Sequence, residues 1–232
     1  MKKIFRFLDG LLSVFYPRSC VGCGDVLQEN EEHLCLNCLL HLPETNYHVG
    51  NDNPLDEVFL GRAPVEHAFS FLFFRKGNYV QNVLHQLKYK GNKEIGEYLG
   101  KLYGRKLAAS GKFADYDLIL PIPLHPKKLK SRGYNQSEWI AKGLSAGLQI
   151  PYDTHILVRQ TFTETQTKKS RFNRWENVKE VFAVADKEAL VGKHVIVCDD
   201  VLTTGATTEA AIQKLLEVEG VRVSVVTLAT AH

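Results

Sequence analysis

What this 232-residue chain has little of narrows its class before any motif is considered. It contains no run of about 18 uncharged apolar residues, so no membrane-spanning helix is expected. It has no internal repeat and no low-complexity tract, and its 44% hydrophobic and 24% charged residues are ordinary for a globular chain. Long disorder, collagen-like repeats and coiled coil are therefore excluded. Lys and Arg are missing from residues 20–60, which hold eight acids, and cysteine is missing between residues 39 and 197. No secretory leader is expected either. In residues 1–16, Arg6 and Asp9 interrupt the apolar positions Phe5, Leu8, Leu12 and Phe15, and no small-residue cleavage site follows. That stretch reads as a short amphipathic helix, and the chain as cytoplasmic.

What is present is unevenly spread. The formal net charge of +3 conceals a basic middle, with ten bases against five acids in residues 61–123 and eleven against five in 124–180. Four of the five cysteines fall between positions 20 and 38. The length suits one full domain and a small module. The expected division is residues 1–44 for the N-terminal helix and cysteine module, 45–64 for a linker rich in Pro, Gly and polar residues, and 65–232 for the main domain.

Cys20-x2-Cys23 and Cys35-x2-Cys38 form two turns that can aim four thiolates at one centre, a tetrahedral sulfur shell suited to structural Zn²⁺. Gly22 and Gly24 supply the small residues that a tight knuckle needs. Two disulfides are the alternative, and they require an oxidising compartment. His33 and His41 are near enough to replace a ligand, but with four cysteines in place they read as surface residues. Lacking any cation, the module is a poor binder of nucleic acid by itself. Docking on the main domain or on a partner protein suits it better.

From about residue 66, apolar runs alternate with helix-period segments. Residues 68–74, 118–122, 194–198 and 221–229 read as strands, and 79–89, 94–109, 135–148 and 207–218 as helices. Continuous apolar strands separated by helices predict an α/β fold with a parallel sheet flanked by helices.

The most informative string is V-I-V-C-D-D-V-L-T-T-G-A-T, residues 195–207. An apolar strand brings Asp199 and Asp200 to its carboxyl end, where open parallel sheets bind ligands. Thr203, Thr204, Gly205, Ala206 and Thr207 then lead into a helix whose first N–H groups can cradle a phosphate. Carboxylates repel phosphate, so the acid pair fits a sugar diol, with Mg²⁺ assisting. A 5-phosphorylated sugar with free hydroxyls is the ligand this chemistry implies. The strand at 118–122 runs into P-L-H-P-K-K-L-K-S-R-G-Y-N-Q, residues 123–136, read as a basic turn. Within it Arg132, next to Gly133, can offer guanidinium and backbone donors to an anion. Lys127 and Lys128 read as solvated charges. Lys88 can reach the same anion or simply complement a helix C-terminus. Cys198 reads as a small core residue. His125 is a candidate proton donor, though a loop histidine more often has no chemical role.

Residues 195–207 resemble the phosphoribosyl pyrophosphate signature of type I phosphoribosyltransferases. That resemblance implies that Asp199 and Asp200 hold the ribose hydroxyls, that residues 203–207 wrap the 5′-phosphate, and that other loops supply a Mg²⁺–pyrophosphate site. The order of motifs is similar to that of the ComF family of competence-associated proteins. It runs from a four-cysteine module through L-K-Y-K-G-N (87–92), R-G-Y-N-Q-S-E (132–138) and Arg159 with T-x-T-Q-T-K-K-S-R-F-N-R-W-E-N-V (163–178) to the signature. Lys168 and Lys169 stand where that family usually has Leu, which makes the 163–178 segment more basic.

Transfer of phosphoribosyl to a nitrogen nucleophile is the activity this resemblance implies. Lys168, Lys169, Arg171 and Arg174 are candidates on a loop able to close over the site, the two arginines being equally suited to facing solvent. The resemblance also implies an alternative: an accessory of DNA uptake that binds single-stranded DNA beside a helicase-like partner. Tyr89, Tyr134, Phe172 and Trp175 would be the stacking residues, although Tyr89 and Trp175 are equally suited to packing. A third reading is a regulator that binds the sugar phosphate without chemistry.

Overall fold

Val195 to Cys198 are four consecutive apolar residues, all fully buried, so the strand they form is covered on both sides. A computed structural model, describing residues 17–50, 53–159 and 181–232, shows how. Among the described residues six strands form: β1 (Ala68–Phe73), β2 (Leu118–Pro121), β3 (Leu157–Arg159), β4 (Phe182–Val184), β5 (His194–Leu202) and β6 (Arg222–Thr230). Four of them make a parallel sheet in the order β1-β6-β5-β2, with β5 and β6 central, while β3 and β4 pair as an antiparallel ribbon. The helices are α1 (Leu36–Leu40), α2 (Tyr79–Tyr89), α3 (Glu94–Ala109), α4 (Pro126–Arg132), α5 (Gln136–Leu148) and α6 (Ala206–Leu215).

Alternation along the strands splits the core in two. Phe69, Phe71, Ile119, Ile196, Cys198 and Val226 face the side covered by α2, α3, α5 and the cysteine module. Ala68, Leu120, Val195, Val197, Val223 and Val225 face α6, the β3–β4 ribbon and residues 55–63. Helix α2 buries Val80, Val83, Leu84 and Leu87 and is capped by Asn78, whose side chain accepts from the Gln81 N–H at 3.2 Å. These are the α/β fold and the apolar helix face that the periodicity predicts. Among the described residues no helix is long and apolar enough to cross a membrane.

Several details differ from expectation. The basic segment after β2 is a helix, not a turn. His125 caps α4 by accepting from the Lys127 N–H at 3.1 Å, Pro126 occupies its first turn, and Gly133 ends it at φ 83°. Strand β5 runs on to Leu202 instead of stopping at Cys198. Its pairing with β2 ends at Pro121↔Cys198, but its pairing with β6 continues to Leu202↔Thr230. The β3–β4 ribbon escaped notice because three-residue strands carry no readable period. The segment 45–64 packs against the core: Leu55 and Phe59 are fully buried, and the Asp56 carboxylate accepts from the Ala68 N–H at 2.7 Å. Its apolar side chains are interspersed with Pro, Gly and polar residues, which hides this in the sequence. The amphipathic helix expected in residues 1–16 lies outside the described residues.

Helices α3 and α5 meet backbone to backbone. A Cβ added at Gly100 would come within 2.4 Å of the Ile140 carbonyl, and one at Gly143 within 2.1 Å of the Glu97 carbonyl. No side chain fits there. Gly143→Ala must push the helices apart and is expected to cost at least about 2 kcal/mol in urea denaturation, the scale of core overpacking. Gly96→Ala meets only side-chain atoms, the nearest at 3.1 Å, and is expected to cost clearly less in the same assay.

Candidate functional site

The two acids sit where β5 loses β2 as a neighbour but keeps β6, so one edge of the strand is free beside them. The Lys88 ammonium, from the last turn of α2, lies 3.0 Å from Oδ1 of Asp200. Oδ2 of Asp200 is buried and has no hydrogen-bond partner among the described residues. A buried carboxylate oxygen left without a donor is costly, so a hydrogen-bond donor or cation placed there would be stabilising. Asp199 accepts from the Ser137 hydroxyl at 2.9 Å and from the Asp200 N–H at 2.8 Å. Its tip reaches the cavity, but the protein packed around it, and then the charge of Asp200, push its pKa up to about 7. Two carboxylates this close do not ionise together easily.

After β5 the chain turns through Thr203 and Thr204 to Gly205 at φ 74°, and α6 begins at Ala206. Gly205 is needed twice over. The left-handed backbone suits glycine, and a Cβ would approach the Phe59 ring at 3.3 Å. No side chain caps the start of α6, although the Ala206 N–H approaches the Thr204 hydroxyl at 3.5 Å. Thr203, Thr204, Ala206 and Thr207 are exposed. Thr207 joins Asp199 and Asp200 in lining a cavity of about 220 Å³, with Lys88, Lys128, Arg132 and Arg159 contributing the positive charge. Lys88, Lys128 and Arg132 also line an adjoining cavity of about 250 Å³ with Tyr89 and Gly91.

The string 132–138 builds the wall between α2 and β5. Arg132 donates to the side-chain carbonyl of Gln136 and lies over the Tyr89 ring at 5.6 Å. The Tyr134 hydroxyl donates to the Leu87 carbonyl, and the Asn135 amide donates to the Ile122 carbonyl at 3.0 Å. The structure thus brings together Lys88, Arg132, Asp199, Asp200 and Thr207. It also gives Lys128, read from sequence as solvated, a place in the cavity wall. Lys168, with Lys169, Arg171, Phe172, Arg174 and Trp175, lies outside the described residues. Ser137 was missed. It is part of the quoted string, and a Ser in the first turn of a helix entering the site was the signal that pointed to it.

The second site is the cysteine cluster. The ligand atoms of Cys20, Cys23, Cys35 and Cys38 lie within 4.8 Å of one another, and none is in a disulfide. The Cys23 and Cys35 sulfurs are 3.7 Å apart. A tetrahedron with metal–sulfur bonds of about 2.3 Å has edges of about 3.8 Å, so this donor set fits Zn²⁺. The Cys35 N–H donates to the Cys20 sulfur at 3.3 Å and the Cys38 N–H to the Cys35 sulfur at 3.4 Å. Burial raises the pKa of Cys20, but the N–H groups of Cys23, Cys35 and Gly22 bring it down to about 7. The module docks on the main domain. The Asn82 amide of α2 donates to the Gly22 carbonyl at 2.9 Å, and Leu34 and Cys38 share a core with Val80 and Val83.

Residues 135–232 match the phosphoribosyl transferase domain family. The chain is 31% identical over 137 residues to the DNA utilization protein YhgH of Escherichia coli O157:H7, covering 58% of this chain and 60% of that protein. Competence protein F of Haemophilus influenzae is 29% identical over 216 residues, covering 89% of this chain and 94% of its own length. Competence protein ComFC of Bacillus subtilis is 25% identical over 203 residues, covering 85% of this chain and 78% of its own. Among solved structures, a purine phosphoribosyltransferase from Pyrococcus horikoshii is 16% identical, with a TM-score of 0.35 over 57% of this chain and 74% of that one.

The raised pKa of Asp199 makes a pH prediction. Between about 3.9, the unfolded value, and about 7, the folded state holds a proton that the unfolded state has lost, so this residue's contribution to stability falls as pH rises through that window. Asp199→Asn removes the effect. Its Tm advantage over the wild-type protein is expected to grow from pH 4.5 to pH 7.5 and then level off. A constant difference across thermal melts in that range would contradict the assignment.

Proposed function

Because the chain belongs to the ComF family and carries a phosphoribosyl transferase domain, we propose that it binds Mg²⁺–phosphoribosyl pyrophosphate at Asp199 and Asp200 and transfers the phosphoribosyl group to a nitrogen nucleophile. The observation that carries this reading is the buried Oδ2 of Asp200, unpartnered among the described residues, on a residue that lines a cavity together with Lys88, Lys128, Arg132 and Arg159. Cations alone suit any polyanion. A carboxylate lacking a donor also demands a hydroxyl or a metal ion, and a ribose with a Mg²⁺-bound pyrophosphate brings both.

The roles follow from charge. Lys88, Lys128 and Arg132 take the pyrophosphate, whose negative charge grows as its bond to C1 of the ribose breaks. Asp199 and Asp200 accept hydrogen bonds from the ribose hydroxyls and favour the cationic character that develops on the sugar. Residues 203–207 take the 5′-phosphate on the N–H groups that open α6. Asp199 and Asp200 would also offer oxygen ligands to Mg²⁺, which would supply charge neutralisation to the leaving group. Lys88 has to divide its charge between Asp200 and the incoming anion, which makes it the cation most sensitive to ligand binding.

In the same reading the cysteine cluster holds a structural Zn²⁺. Free thiolate ligands of this kind belong to a reducing compartment such as the cytoplasm. A second reading, binding of single-stranded DNA, is supported by Tyr89, which is 69% exposed beside Lys88 and Arg132, and by relatives whose names refer to competence and DNA utilization.

Asp199→Asn/Asp200→Asn is expected to weaken Mg²⁺–phosphoribosyl pyrophosphate binding by roughly 100-fold or more in calorimetry, the scale of losing several hydrogen bonds to charged groups. Zinc content should not change. Unaltered binding would end the reading. If DNA is the ligand, single-stranded DNA affinity should fall steeply with salt and survive the double substitution. Metal analysis should find about one Zn²⁺ per chain, lost in Cys38→Ser together with a fall in Tm. Protein that is folded yet free of zinc would refute the metal assignment.

A further inference from the structure

Arg62 lies outside every motif considered above, on the segment between the cysteine module and β1. Its guanidinium makes four hydrogen bonds within the protein. Nη1 donates to the Thr204 carbonyl at 2.7 Å and to the Val58 carbonyl at 3.1 Å, while Nε donates to Oε2 of Glu209 at 3.0 Å. Nη2 donates to the same Glu209 oxygen. Glu209 stands in the first turn of α6. Arg62 therefore ties together three pieces: its own segment, the loop after β5 and the start of the helix. Below them, Val58 and Phe59 press against Gly205, with Phe59 only 1% exposed. One residue earlier, the Thr203 carbonyl is engaged by Nε2 of His232.

A trans peptide unit is planar, so its C=O and the following N–H point in opposite directions. Turning the Thr204 carbonyl toward Arg62 therefore aims the Gly205 N–H away from it. The Thr203 carbonyl, held by His232, does the same for the Thr204 N–H. The cavity beside Asp199 and Asp200 is lined by Thr207, the second residue of α6, and by no residue of the 53–65 segment.

We propose that Arg62 is a positioning residue of the phosphate loop. Without touching the ligand, it orients the N–H groups of residues 204–205 toward the 5′-phosphate. This rests on the sugar-phosphate reading and adds to it a residue about 140 positions from the loop, with a role that is geometric and not electrostatic. Glu209 already balances the charge of Arg62, so an attractive field is not what Arg62 contributes. A lysine at this position keeps the charge but loses the planar fork that spans Glu209, Thr204 and Val58.

The test uses the full chain and two ligands measured separately by calorimetry, ribose 5-phosphate and Mg²⁺–pyrophosphate. Arg62→Lys and Glu209→Gln are each expected to weaken ribose 5-phosphate binding at least about tenfold, the consequence of losing one charge-assisted hydrogen bond. Mg²⁺–pyrophosphate binding should stay within about twofold. The Glu209→Gln result is the sharpest, because removing a negative charge should strengthen anion binding if the role were electrostatic. Tighter ribose 5-phosphate binding in Glu209→Gln would overturn the proposal, as would wild-type affinity in both variants. Equal loss for both ligands with a lowered Tm would also overturn it, since it would reveal only a general packing role. If the wild-type protein binds pyrophosphate but not ribose 5-phosphate, the loop is not a 5′-phosphate site and the positioning role falls with it. If the wild-type protein binds neither ligand, the sugar-phosphate reading itself fails.

Discussion

Two adjacent carboxylates at the end of an apolar strand repel each other and resist burial, and much of the architecture answers that constraint. Asp200 obtains Lys88 from the last turn of α2, and Asp199 obtains the Ser137 hydroxyl from the first turn of α5. Neither donor is near the acids in sequence. Both helices must end or begin at one height above the sheet for the pair to be tolerated. Even then one oxygen stays without a partner, and Asp199 is held well above the usual carboxylate range.

The height of those helices is set by close packing elsewhere. Glycines of α3 and α5 bring the two backbones into contact, and Leu99, Tyr103, Ile140 and Leu144 fill the space around them. Once α5 is seated, Asn135 reaches the Ile122 carbonyl and Tyr134 reaches the Leu87 carbonyl. The end of α2, the end of β2 and the start of α5 then form one wall. A looser helix pair would leave Ser137 and Asp199 as separate polar groups.

Charge is segregated along the same lines. The acidic cysteine module packs on α2 and α3, while Lys88, Lys128, Arg132 and Arg159 converge on the cavity. In both functional readings the polyanion, a sugar pyrophosphate or a nucleic-acid strand, would meet the protein at those cations. The two functional readings therefore compete for the same cations, and only the acid pair separates them: it favours a ligand with hydroxyls and a metal ion.

The parallel α/β fold, the apolar faces of α2, α3 and α5, the four-cysteine cluster and the position of the acids were legible in the sequence, because each rests on periodicity or spacing within about 20 residues. Short or mixed signals were less legible. Three-residue strands carry no period, and α4 was concealed by its lysines. The apolar side chains of residues 55–63 were diluted by Pro, Gly and polar neighbours. Contacts across the chain were not legible at all. Ser137 with Asp199, Lys88 with Asp200 and Arg62 with Thr204 join residues 62 to 142 positions apart, and nothing local in the sequence marks one partner for the other. By itself the sequence determined which residue types are available and which strand end carries the acids. The tertiary structure alone decided which cation, hydroxyl and carbonyl meet, because that depends on how closely the helices pack and where β2 stops beside β5.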